Sequence, residues 1–278
     1  MTAIGEQSLA EVLRSTQDQV RKEPARAQHR IFLFQLLCLL GQWERALNQL
    51  NVLAEIDVAS LPMVHTYRQA LQCEGLRAQV FAGQRSPLIV GKPCRWMALL
   101  LEALRMGALG HAMQAKALRN EAFELAEATP GRIDDPGPTE FAWIADADER
   151  FGPMIEAILD GKYYWIPFER VSALHLEAPH DLRDLVWMPA FFVWLNGGES
   201  PALIPTRYPG SEQSTDERIL KASLTDWIDS GDGLMLGLGQ RMLATDQGEF
   251  PLMDLRSLHL DPVSTAAEEE PPLATTAG

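Results

Sequence analysis

Apolar side chains recur every three or four positions through the first 128 residues, which is the spacing of one face of an α-helix. Leu9, Val12 and Leu13 show this pattern first, and Gly41 and Pro62 interrupt it. These residues therefore predict an all-α first half, 1–128. The predicted helices run over 9–20, 24–40, 43–57, 62–81, 95–105 and 109–128, with a loop at 83–93.

One turn in this half resembles part of a tetratricopeptide repeat. The sequence LGQWERA at 40–46 is followed by LAEID at 53–57. Glycine permits a tight turn between two helices, and Trp43 and Ala46 allow the helices to pack across it. A weaker echo at Gly107 and Ala112 follows after about two repeats of roughly 34 residues. A plain helical bundle is the alternative, and both predict stacked helices that can present a groove to a partner.

The pattern changes after residue 128. Prolines and glycines concentrate at 129–139, which predicts a linker. Beyond it, short alternating segments predict an α+β domain over 140–260. The predicted strands are 162–168, 171–177, 185–195, 202–205 and 252–258, and the predicted helices are 154–159 and 216–228. From 261 to 278 the sequence is acidic and carries prolines, which predicts a disordered tail.

Charge narrows the classes of partner. The formal net charge is −14, and the acidic excess lies after residue 128. Such a surface repels nucleic acid and anionic membranes and favours a basic protein partner, although solubility alone would also account for it. The longest apolar run, 31–40, is too short to cross a bilayer. The first residues lack the features of a signal peptide, so we expect a cytoplasmic protein.

The sequence holds few candidates for catalysis. Asp146 and Asp148 form a pair of carboxylates that, with a nearby histidine, would suit a metal-dependent hydrolase. The simpler interpretation is that they cap a helix beginning near Arg150. The six histidines and three cysteines show no metal-ligand or CxxC spacing, and no phosphate-binding glycine motif is present. We therefore expect no enzymatic activity, no metal and no cofactor.

Aromatic and polar residues concentrate between 141 and 212. Alternation along a strand would send Tyr163 and Trp165 to one face and Tyr164 to the other, so part of this set must be core. The remainder could anchor a partner, since aromatic residues and arginine dominate interface hot spots. Internal salt bridges are the alternative role of the charged members. The candidate protein-binding residues are Trp143, Tyr163, Tyr164, Trp165, Arg183, Asp184, Trp187, Arg207 and Tyr208.

Several long blocks in the same order resemble the ImpE/TagJ family of type VI secretion accessory proteins. They include LFQLLCLLGQWERALNQLNVLAEID, WIADADERFGP, GKYYWIPF, DLRDLVWMPA, NGGESPALIPTRYPGSE and GQRMLATDQGEFPLMDLRSL. The resemblance extends over nearly the whole chain to about residue 260. The loop at 83–93 and the acidic tail lie outside it.

The resemblance implies a cytoplasmic, non-enzymatic adaptor of the contractile sheath. It implies binding to the N-terminal helix of the small sheath subunit TssB and a link to ClpV, the ATPase that recycles contracted sheath. Helix-in-groove recognition is the expected mode. The sequence does not locate the groove, and we favour the C-terminal half because the longest family-like blocks lie there. A helical-repeat scaffold for another protein is a further alternative.

Overall fold

The computed structural model describes residues 7–134, 137–231 and 233–261. Its first half is helical, as predicted. Ser8 and Glu11 form a capping box that begins the first helix, and Gly41 turns the chain between the second and third with a φ of +65°. The helices are α1 (Leu9–Lys22), α2 (Ala27–Leu39), α3 (Trp43–Ile56), α4 (Leu61–Phe81), α5 (Arg95–Ala108), α6 (Ala112–Leu125) and the short α7 (Glu217–Leu220).

The second half is a mixed α+β structure, which confirms the predicted fold class. Among the described residues, its strands and one short strand from the first half form a large sheet of nine, a hairpin of two and a small sheet of three. The strands are β1 (Leu88–Ile89), β2 (Gly131–Ile133), β3 (Thr139–Phe141), β4 (Ile144–Asp146), β5 (Met154–Leu159), β6 (Lys162–Pro167), β7 (Val171–Leu176), β8 (Trp187–Trp194), β9 (Glu199–Pro205), β10 (Thr225–Asp229), β11 (Met235–Gly239), β12 (Met242–Thr245), β13 (Gly248–Pro251) and β14 (Ser257–Leu260).

The large sheet runs in the order β1-β6-β5-β9-β8-β7-β14-β2-β3. β1 comes from the helical half and pairs in parallel with β6. β5 and β6 are joined by a two-residue turn, Asp160 and Gly161, whose φ angles are +46° and +69°. Two positive φ angles are typical of the turns that match the twist of a hairpin. The hairpin β10–β11 and the small sheet β13-β12-β4 complete the half.

Two apolar clusters cover the two faces of the large sheet. One lies between helices and sheet and contains Phe34 and Leu37 of α2 together with Trp165 and Trp187. The other lies on the opposite face and includes Ile166, Met188 and Phe192. Helices and sheet therefore share one core. Among the described residues, no helix has the length and apolar character needed to cross a membrane.

Several local predictions are wrong. The predicted helix 154–159 is strand β5. All six of its residues are buried, so the segment lacks the alternation of apolar and polar residues that marks a strand with one exposed face. The predicted helix 216–228 ends after one turn at Leu220, because Ala222 adopts a φ of +51°, and β10 follows. The predicted strand 252–258 is a short 3₁₀ turn followed by β14.

The predicted connections also differ from the structure. The linker 129–139 contains β2, which pairs with β14 and β3 inside the sheet. The loop 83–93 contains β1. No helix begins near Arg150, where the described chain makes a turn into β5. Of the predicted disordered tail, residues 262–278 lie outside the described residues.

Candidate functional site

A buried carboxylate joins the helices to the sheet. Glu156 lies on β5, on the face that the helices cover, and its side chain is fully buried. Arg77 of α4 donates to both of its oxygens, from Nε at 2.7 Å and from Nη2 at 2.9 Å. Arg241 and the hydroxyl of Tyr163 also donate to it. Three groups from three segments of the chain therefore meet on one side chain.

The two aspartates predicted as a helix cap or a metal site belong to the same network. Asp146 ends β4 and accepts from Arg241, from the hydroxyl of Tyr208 at 2.8 Å and from the backbone of Asp148 at 2.9 Å. Asp148 accepts from Arg150 and from the backbone N–H of Gly237 at 2.9 Å. Their oxygens are held by arginines, and no group of three or more His, Cys, Asp or Glu among the described residues could hold a metal ion.

The ionisation of these carboxylates follows from burial and from the arginines. Burial by itself would raise the pKa of Glu156, but the charges of Arg77 and Arg241 outweigh it and lower that pKa. For Asp146 burial dominates over Arg241, and nearby Asp148 adds repulsion, so its pKa rises to about 6. Charges arranged in this way hold elements together, and nothing in this geometry presents a reactive group to solvent.

Most of the predicted partner-binding aromatics are core residues. Alternation along β6 is confirmed, since Tyr163 and Trp165 face the helices and Tyr164 packs against the opposite cluster. Trp187 donates from its indole to Glu74 of α4 at 2.8 Å. Tyr163, Trp165, Trp187 and Tyr208 are all buried, so they do not face a partner. Tyr164 is half-buried, and Trp143 is 39% exposed.

The charged candidates Arg183, Asp184 and Arg207 make contacts within the protein, which was the alternative role predicted for them. Arg183 stacks over the ring of Tyr67 at 4.9 Å and pairs with Asp181. Asp184 is buried and accepts from the backbone of the turn that precedes it. Arg207 is buried as well and donates to the carbonyls of Leu39 and Leu220 at 2.9 and 2.7 Å. Of these three, Arg183 alone keeps part of its side chain at the surface.

An open groove lies elsewhere, between the two halves of the chain. Its volume is about 370 Å³. One wall is α5, with Leu100, Ala103, Leu104, Gly107 and Ala108. The opposite walls are α6, with Ala112, Ala115 and Arg119, and the end of the β10–β11 hairpin, with Leu234 and Leu236. The lining is mostly apolar. No motif in the sequence marks this groove, and the small residues of α5 and α6 are the signal that could have indicated it.

Arginine provides the charged part of the groove. Arg150 lies over the ring of Phe81 at 5.2 Å and is paired with Asp148. Arg119 is only 4% exposed and donates from Nε to Glu149 at 3.1 Å. At the turn between α5 and α6, just beyond the lining residues, the apolar side chains of Leu109 and Met113 are exposed. The groove thus combines a mostly apolar lining with two guanidinium groups.

Comparison with known proteins agrees with this architecture. The family model described as "ImpE protein" matches residues 138–259. A Pseudomonas aeruginosa protein named "Type VI secretion system accessory component TagJ" is 49% identical over 254 residues, which cover 91% of this chain and 88% of that protein. The chain belongs to the ImpE family. The fold is also that of protein VPA1032 from Vibrio parahaemolyticus, whose crystal structure matches at 23% identity with a TM-score of 0.82, covering 92% of this chain and 95% of that one.

The ImpE match covers the second half of the chain, and the relative and the solved structure cover the helices too. The family model spans Asp146, Glu156 and Arg241, but it begins after Arg77, which lies on α4. The network is therefore completed by a residue from outside the matched segment. The helices that line the groove also lie before residue 138.

Proposed function

We propose that this protein is a cytoplasmic, non-enzymatic accessory component of the type VI secretion system that binds the N-terminal helix of the small sheath subunit TssB. The name of the Pseudomonas aeruginosa relative supports the system. The observation that carries the mode of binding is the groove between α5, α6 and the β10–β11 hairpin. An apolar groove of this kind receives the apolar face of an amphipathic helix.

The shape of the groove suits a helix of about two turns. Leu100, Ala103, Leu104 and Gly107 line it at successive turns of α5, a length of roughly 10 Å at 1.5 Å per residue. The small side chains of the wall leave room for larger ones from a partner. Met113, which follows the lining residue Ala112 in the chain, is 79% exposed.

This position differs from the one that the sequence favoured. The C-terminal half supplies the end of the β10–β11 hairpin, and the helical half supplies α5 and α6, so the proposed site belongs to both. The two halves also share a core. The site is therefore best tested in the full chain with point variants rather than by removing residues 1–128.

The alternatives have less support. A metal-dependent hydrolase would need Asp146 and Asp148 to be available for a metal, whereas both are paired with arginines. A scaffold for another component of the system would use the same helical surfaces. The link to the ClpV ATPase belongs to the proposal as a second partner, to be tested by adding purified ClpV to the complex with TssB.

Binding is measured by fluorescence anisotropy with a labelled peptide of the TssB N-terminal helix from the same organism. Gly107→Trp would fill the groove, and a Cβ at Gly107 meets only the methyl group of Ala115, at 3.9 Å. Gly75→Trp is the matched control, because Gly75 is an exposed glycine of α4 with no atom within 4 Å of such a Cβ. We expect Gly107→Trp to weaken binding at least tenfold and Gly75→Trp to leave it unchanged.

Two results would count against the proposal. Absence of binding to the wild-type chain would reject TssB as the partner and favour the scaffold alternative. Binding that is equal for the two tryptophan variants would keep the partner and reject the groove as its site.

A further inference from the structure

Arg119 is a buried cation whose hydrogen-bonding capacity is only partly used. It lies on α6 in the wall of the groove. Its Nε donates to Glu149, but neither Nη1 nor Nη2 donates to any residue that the structure describes. The side chain of Glu149 is 55% exposed, so solvent screens the charge that it offers. Arg119 therefore retains two donor groups and much of its positive charge.

Arg150, in the same groove, provides the contrast. Its Nε donates to Oδ1 of Asp148 and its Nη2 donates to Oδ2, and the side chain of Asp148 is fully buried. That pair is bidentate and shielded from solvent, so Asp148 neutralises the charge of Arg150 within the protein. The two arginines of the groove thus differ in how fully they are paired, and Arg119 is the one able to bind a further anion.

From this difference we propose that Arg119 pairs with a carboxylate on the apolar face of the helix that docks in the groove. The inference rests on the proposed function and adds the chemistry by which the site selects its partner. A guanidinium group offers its free N–H groups in a fork that fits the two oxygens of a carboxylate. In an apolar groove, such a pair discriminates strongly, because a partner without the acid leaves a desolvated charge unpaired.

The position of Arg119 also sets where the acid lies. Ala112, Ala115 and Arg119 follow one face of α6, and Arg119 is the one farthest from the turn between α5 and α6. The partner carboxylate should therefore sit near one end of the docked segment. Apolar residues three or four positions away from it would contact the small side chains of the walls.

The test uses the full chain and the labelled TssB peptide. Arg119→Gln is expected to weaken binding at least tenfold, and Arg119→Lys to restore part of the loss. Glu149→Gln is the matched control, because it breaks the same internal pair and leaves the charge of Arg119 in place. We expect this variant to bind as tightly as wild type or more tightly. Circular dichroism and thermal unfolding report whether each variant is folded.

A second arm changes the peptide. Each acidic residue of the peptide is replaced in turn by its amide and tested against wild type and Arg119→Gln. We expect one replacement to weaken binding to wild type at least tenfold and to cause little further loss with Arg119→Gln, as in a double-mutant cycle.

The outcomes separate the two proposals. Lack of binding to wild type overturns both. Tight binding to wild type, together with equal binding to Arg119→Gln or equal losses in Arg119→Gln and Glu149→Gln, overturns the role of Arg119 and leaves the groove as the binding site.

Discussion

The charge of Glu156 should contribute several kcal/mol to the free energy of unfolding. Glu156→Gln keeps the size of the side chain and removes its charge. Arg77 would then retain Glu74 at 3.5 Å, and Arg241 would retain Asp146. Removing one partner of a buried ion pair costs about 3–5 kcal/mol, and the two arginines would then be compensated only in part by Glu74 and Asp146. The equilibrium between folded and unfolded chains would shift on the order of a hundred- to several-thousand-fold.

Urea unfolding followed by tryptophan fluorescence measures this loss, since Trp165 and Trp187 are fully buried and report on the same interface. For a chain of this size the melting temperature should fall by roughly 6–20 °C. Glu102→Gln is the control, because it breaks an exposed pair with Arg105 on α5 and should change stability little. If the two variants unfold at the same urea concentration, the network does not hold helices and sheet together.

Three further predictions concern the turn, the packing and the pH dependence. Gly161→Ala should destabilise the protein by more than about 1 kcal/mol, because φ is +69° and the new Cβ would lie 2.4 Å from the side chain of Gln69. Gly197→Ala is the control. Its φ is +79°, but no atom lies within 4 Å of the new Cβ, so it should lower the free energy of unfolding less in the same urea titration. Gly237→Ala should cost about 1–3 kcal/mol, because its Cβ would lie 2.3 Å from the ring of Tyr208, and an unchanged unfolding midpoint would contradict this. The folded pKa of Asp146, about 6, exceeds its ordinary 3.8, so its contribution to stability is complete below pH 4 and is lost as the pH rises to about 6. The stability of wild type relative to Asp146→Asn should therefore fall by roughly 2–3 kcal/mol between pH 4 and 7, and a flat difference in urea unfolding would refute it.

Periodicity predicted the helices of the first half because most of them expose one face to water. It failed at β5, where both faces of the strand are covered and the apolar run carries no period. It also failed at 216–228, where the apolar spacing suits a helix but the left-handed conformation of Ala222 ends it. Local spacing therefore misread a strand that is covered on both faces, and it did not show where the backbone conformation of a single residue ends a helix.

The site was less accessible to sequence reasoning than the fold. Asp146 and Asp148 stood out because they are close in the chain, but their partners are remote. Arg241 lies 95 residues after Asp146, and Glu156 lies 79 residues after Arg77. Such pairs leave no local pattern. The groove likewise leaves no local pattern, because its walls come from separate halves of the chain.

The residues that join the two halves are made at very different times during synthesis. Glu156 follows Arg77 by 79 residues, and Arg241 follows Glu156 by 85. At roughly 5–20 residues per second, the ribosome takes on the order of 10–30 s to pass from the first arginine to the second. During this interval the inner face of α2 has no complete sheet against which to pack. A chain released before residue 241 would therefore expose apolar surface that the complete protein buries. Such a truncated chain would be prone to aggregation.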